Sequence, residues 1–124
     1  MVVYSESERE RMKKMKLWID DVRPAPEGYI WIKSVRLAKW AIEKYEYMLQ
    51  LAEENNLRGR VTLELVDIDH DAGDFASDGG DYIRLLDWLE ETGRNYPIRI
   101  HSMNPVGVAN MRAIIEKNGW TEVR

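Results

Sequence analysis

Residues 61–74, "VTLELVDIDHDAGD", pass from an apolar, β-branched run straight into a cluster of acids. The run over residues 60–68 has the composition and length of a buried strand, with Glu64 an awkward member. Its end hands over Asp69, His70 and Asp71 without a break. The acids continue, at positions 67, 69, 71, 74, 78 and 81 between Val66 and Tyr82. Carboxylates packed this closely repel, and one is driven to protonate unless a cation or hydrogen bonds neutralise the group. A strand that ends in such a loop makes the neighbouring elements decisive for the fold.

On the N-terminal side, "KLWIDD" at 16–21 is a short apolar run that also ends in acids, followed by the breaker-rich "VRPAPEG" and a second strand candidate, "YIWIK". From Ser34, an N-cap candidate, Ala38, Ala41, Ile42, Tyr45, Met48, Leu49 and Ala52 recur at helical spacing. On the C-terminal side, "DYIRLLDWLEE" carries a helical stripe and "YPIRIHSM" reads as a strand. "PVGVANMRAIIEKNG" has Pro105 at a helix start and Gly119 just past its end, and "WTEV" is a candidate last strand. Strands alternating with helices predict an α/β, three-layer sandwich: a mostly parallel five-stranded sheet with helices on both faces. Residues 1–15, rich in Glu, Lys and Arg, read as a charged arm, and residues 16–124 as one domain.

The 124 residues suffice for one core without disulfides, and the absence of cysteine excludes a thiolate nucleophile, zinc fingers and iron–sulfur ligation. No apolar run approaches the roughly 20 residues of a membrane span, so the expectation is a cytoplasmic protein with no membrane partner. A net charge of -4 argues against double-stranded DNA.

In a doubly wound sheet, ligands lie outside the carboxyl ends of the strands. Three strands deliver polar groups there: Asp20 and Asp21 after the first, Asp69, His70 and Asp71 after the third, His101, Ser102 and Asn104 after the fourth. Oxygen ligands from Asp20, Asp21 and Asp69 suit Mg²⁺ or Mn²⁺, and a histidine joining them shifts the preference toward Mn²⁺, Zn²⁺ or Fe²⁺. Asp74, Asp78 and Asp81, beside glycines, fit turn and loop roles instead. A calcium-loop register on Asp67, Asp69, Asp71 and Asp78 fails, because Ala72 stands where glycine is needed and a strand precedes it. His70 and His101 suit a general acid and base pair, with Asp71 orienting one of them. Arg23, Ser102, Asn104 and the backbone at Gly107, in the first turn of the last helix, are candidates to hold a phosphate.

The motifs "LWIDD", "DIDHD", "DGGDYIRLL" and "IRIHS" together resemble a response-regulator receiver domain, a flavodoxin-like fold. That resemblance implies Mg²⁺ on Asp20, Asp21 and Asp69, with Asp69 at the phosphoacceptor position and Ser102 at the hydroxyl position. No lysine ends the last strand candidate, "WTEVR", and histidines stand at 70 and 101 where receivers do not call for them. More specifically, "WIDDVRPAP", "DHDAG" and "HSMNPVGVANM" resemble the receiver-derived cyclic-phosphate-processing family, over about Lys16 to Trp120. This implies hydrolysis of a cyclic phosphate, in a phosphorylated small molecule or an RNA terminus ending in a 2′,3′-cyclic phosphate. The rival expectations are a signalling receiver that accepts phosphate on Asp69 and a non-catalytic binding module for a nucleotide or protein.

Overall fold

The computed structural model describes residues 14–57 and 61–124. The expected charged arm lies almost wholly outside them. Four parallel strands form one sheet in the order β2-β1-β3-β4: β1 (Lys14–Ile19), β2 (Ile30–Ile32), β3 (Thr62–Ile68) and β4 (Ile98–Ile100). Three helices connect and follow them: α1 (Val35–Glu54), α2 (Ile83–Glu91) and α3 (Pro105–Asn118). A 3₁₀ segment, Gly73–Asp78, lies between β3 and α2.

The strand order and direction are those of a receiver-like sheet, with two departures. The expected fifth strand is reduced to a single bridge between Ile98 and Glu122, so the sheet has four strands and not five. "WTEV" is short, and its apolar residues are too few to carry a buried parallel strand. The second departure concerns the layers. The chain passes from β1 to β2 through a loop, residues 20–29, where the breakers "RPAPEG" exclude a helix. The right-handed crossovers from β2 to β3 and from β3 to β4 both advance in one direction across the sheet, which puts α1 and α2 on one face. Leucines and isoleucines from all three helices share one core with Leu17, Ile19, Ile32, Val66, Ile68 and Ile98. Among the described residues the helices therefore form a single layer, and the helices expected on the second face are not seen.

Helix punctuation follows the sequence. The Ser34 side chain accepts the Leu37 N–H, Asn104 caps α3 through the Gly107 N–H, and Gly119 closes that helix in the left-handed region. In α1 the buried stripe is Val35, Ala38 and Ile42. Asp74, Asp78 and Asp81 serve the loop, as expected: Asp78 pairs with Arg36, and Asp81 accepts the Ala72 N–H.

Candidate active site at the carboxyl edge of the sheet

Side chains alternate along a strand, so residues two apart share a face. Leu17 and Ile19 in β1, like Val66 and Ile68 in β3, point into the helix-covered core. Trp18, Asp67 and Arg99 are register partners on the opposite face. The pairing runs one residue past the strands: Asp20 N donates to Ile32 O, Asp69 N to Ile19 O and His101 N to Ile68 O. Asp20, Asp69 and His101 thus stand side by side on three adjacent strands, each two residues beyond the Trp18–Asp67–Arg99 row.

One donor atom from each of Asp20, Asp69 and His101 lies within 4.8 Å of the others. His101 Nε2 is 2.9 Å from Asp20 Oδ2, and His101 Nδ1 is 2.6 Å from Asp67 Oδ1. The imidazole stacks on Trp18, with ring centroids 3.7 Å apart and planes within 3°. Donors held about 2.1 Å from one ion at right angles stand about 3 Å apart, which matches the Asp20–His101 spacing. The mixed oxygen and nitrogen set fits Mn²⁺, Zn²⁺ or Fe²⁺ better than Mg²⁺, which takes oxygen.

Asp21 approaches from the other side. Gly73, at φ +54°, has no side chain where a Cβ would overlap Asp21 Oδ2, so this glycine admits the carboxylate. Burial and the charges of Asp20 and Asp69 push the Asp21 carboxyl above its ordinary value. Burial acts on Asp20 in the same sense, but the N–H of Arg23, the His101 imidazole and the N–H of Val22 outweigh it and hold that carboxyl low. Behind them Tyr82 is fully buried, its hydroxyl donating to Lys33 O. Its phenol is pushed up by burial and by the charges of Asp21, Asp20, Asp69 and Asp81.

His70 occupies a separate group. One residue after Asp69 the alternation turns its ring toward the helical layer, where it lies on Gly107. A Cβ there would stand 2.6 Å from His70 Cδ2, so only glycine allows the approach. His70 Nδ1 is 3.0 Å from Asp71 Oδ1, and Asn104 Nδ2 donates to Asp71 Oδ2 at 3.4 Å. Hydrogen bonding to His70 is the main cause of the lowered Asp71 carboxyl, helped by Asn104. The Ser102 hydroxyl accepts the Asn104 N–H, and Arg23 reaches the His101 carbonyl through Nη1 at 3.3 Å.

The residues singled out in the sequence therefore fall into two clusters that meet at Asp69, whose Oδ1 accepts the His70 N–H. Asp20, Asp69 and His101 form the first, with Asp21 beside them; His70, Asp71, Asn104 and Gly107 form the second. The imidazoles sit on opposite sides of the sheet plane and have different carboxylate partners. Sequence reasoning missed Asp67, Trp18 and Gly73. Asp67 was detectable as a charged residue between Val66 and Ile68.

A family profile described as the cyclic-phosphate processing receiver domain matches residues 15–117. No curated protein and no solved structure matches the chain.

Proposed function

We propose, since this chain belongs to the cyclic-phosphate processing receiver domain family, that it hydrolyses a cyclic phosphodiester at the rim formed by Asp20, Asp69 and His101. The observation that carries the proposal is the convergence of those three donors in a chain whose family is associated with cyclic phosphates. A divalent cation held there would neutralise phosphoryl oxygens and acidify a water molecule.

The chain's own groups divide the remaining work. His101 belongs with the cation donors, since Nε2 faces Asp20. His70 is the better proton carrier: Asp71 fixes Nδ1, which leaves Nε2 for the substrate. In the reaction, water oxygen bonds to phosphorus, one ring P–O bond breaks, and the departing sugar oxygen gains a proton. His70 gives its proton to the leaving oxygen, while the proton of the attacking water, made acidic by the cation that the rim would hold, passes to solvent and restores the charge of His70 between turnovers. Arg23, Ser102 and Asn104 would hold the phosphate, whereas the Gly107 N–H, a candidate from the sequence, is already bonded to Asn104 Oδ1 and lies under the His70 ring. This assignment departs from the expected general acid and base pair of His70 and His101, because the rings face different sides of the sheet. No helix of the described residues is long and apolar enough to cross a membrane, and the proposed substrate is an RNA terminus or cyclic nucleotide.

The test is phosphorus NMR of 2′,3′-cyclic nucleotides and cyclic-ended RNA with Mn²⁺, with Mg²⁺ and with chelator. Metal-dependent conversion of the cyclic resonance to a monoester is expected, abolished in Asp69→Asn and reduced about 10²- to 10⁴-fold in His70→Gln. Inertness in every condition would favour a binding module. A mass gain on Asp69 after acetyl phosphate treatment would favour a signalling receiver.

A further inference from the structure

Asp67, the aspartate of β3, reaches no solvent: it is fully buried, between Val66 and Ile68, also buried. Leu63, Leu65, Val66 and Ile68 are buried in the same strand, so a fully buried carboxylate among them is costly unless something answers its charge. Arg99 Nη1 stands 3.8 Å from Oδ2, beyond hydrogen-bonding reach, with its side chain about half exposed. Among the described residues Oδ2 has no hydrogen-bond partner. The close contact is Oδ1 to His101 Nδ1, at 2.6 Å, in the range of a charge-assisted bond.

His101 has little freedom apart from that bond. Its ring is flat against Trp18, which fixes the plane, and its side chain is 9% exposed. In this plane one nitrogen faces Asp67 and the other faces Asp20 and the rim. In the metal-free protein Asp20 calls for a proton on Nε2 as Asp67 does on Nδ1; once Nε2 is needed as a lone pair for a cation, Nδ1 alone can keep a proton, and the Trp18 stack does not decide between them. A carboxylate cannot donate, so only a protonated Nδ1 satisfies Asp67.

We propose that Asp67 is a positioning residue: it keeps the proton of His101 on Nδ1 and thereby commits Nε2 to the rim as the nitrogen that takes a divalent cation. The arrangement is carboxylate, imidazole, cation, in which the outer carboxylate sets the tautomer and orientation of the ligand. The cation half of this inference rests on the function proposed above; the proton half does not.

Long-range ¹⁵N–¹H NMR of the full chain tests both. In the metal-free protein, the His101 Nδ1 proton, assigned by its loss in His101→Gln, is expected far downfield. It should persist when diamagnetic Zn²⁺ is added, while Nε2 loses any proton. Asp67→Asn is expected to remove the downfield signal and weaken Mn²⁺ and Zn²⁺ binding about 10- to 100-fold, measured by calorimetry. An unprotonated Nδ1 in the unaltered protein overturns the proposal, and so does an Asp67→Asn protein that keeps both the signal and the affinity. Should that variant fail to fold, the unaltered protein's spectrum still decides. A downfield Nδ1 proton in a protein that binds neither metal would uphold Asp67 as the group that fixes His101 and count against the metal-dependent hydrolase.

Discussion

At the scale of single residues, the acids of the rim are shifted in opposite directions. Asp20 is kept ionised by donors, whereas burial, Asp20 and Asp69 raise Asp21. A folded-state pKa raised above the unfolded value means that the group favours folding below its ordinary pKa, near 3.9, and that this contribution is lost as pH rises through the raised value. Asp21→Asn removes that loss. In chelator, its melting temperature is expected to exceed the unaltered protein's by a few degrees at pH 7 and to match it near pH 3, measured by circular dichroism. Equal melting temperatures at pH 7 would show that the aspartates do not strain one another. Gly107→Ala probes the second cluster: the new methyl displaces the His70 ring. Turnover should fall about 10²-fold, because misplacing a proton carrier by about 1 Å costs that much. Mn²⁺ affinity should be unchanged, since His70 is not among the three convergent donors. A parallel loss of affinity would mean that the two clusters are one.

The elements carry a different lesson. α1 and the segment after α2 are joined by Arg94, which makes a bidentate pair with Glu46, and by the Tyr96 hydroxyl on the same carboxylate. Burial would raise Glu46, but Arg94 and Tyr96 hold it low. A lowered carboxyl stabilises above its unfolded pKa, and this is lost as pH falls through the folded value. Glu46→Gln is expected to cost about 1–3 kcal/mol at pH 7 by urea denaturation, with the difference shrinking as pH falls below the ordinary glutamate value of about 4.3. The elements themselves were largely legible: apolar spacing predicted α1, and Ser34, Pro105 and Gly119 marked helix ends where the structure has them. The layers were not. "RPAPEG" already excluded a helix between β1 and β2, yet the analogy of alternating strands and helices supplied a second helical face. Two-residue alternation also placed His70 and His101 on different sides, because Asp69 and His101 are equivalent in register and His70 is one step later. Asp67 was passed over for the same reason: its partner is set by a register between strands, which no single stretch of sequence contains.

For the molecule as a whole, stability and function pull the two edges of the sheet apart. The core lies on one face, under three helices. The rim collects Asp20, Asp21 and Asp69 in a chain already at -4 net charge. Self-repulsion there is a standing cost in the metal-free fold, and a cation that binds only the folded chain relieves it by mass action. At a free concentration of about 100 times the dissociation constant, the gain is about 2.7 kcal/mol, which for a domain of this size is several degrees in melting temperature. Mn²⁺ should raise the melting temperature by that amount, Mg²⁺ by less because imidazole is a poor ligand for it, and chelator should reverse both. Asp69→Asn and His101→Gln should abolish the Mn²⁺ shift, while His70→Gln retains it in full. A shift that survives loss of His101 would place the ion among the aspartates alone, and the mixed donor set would then have no part in binding it.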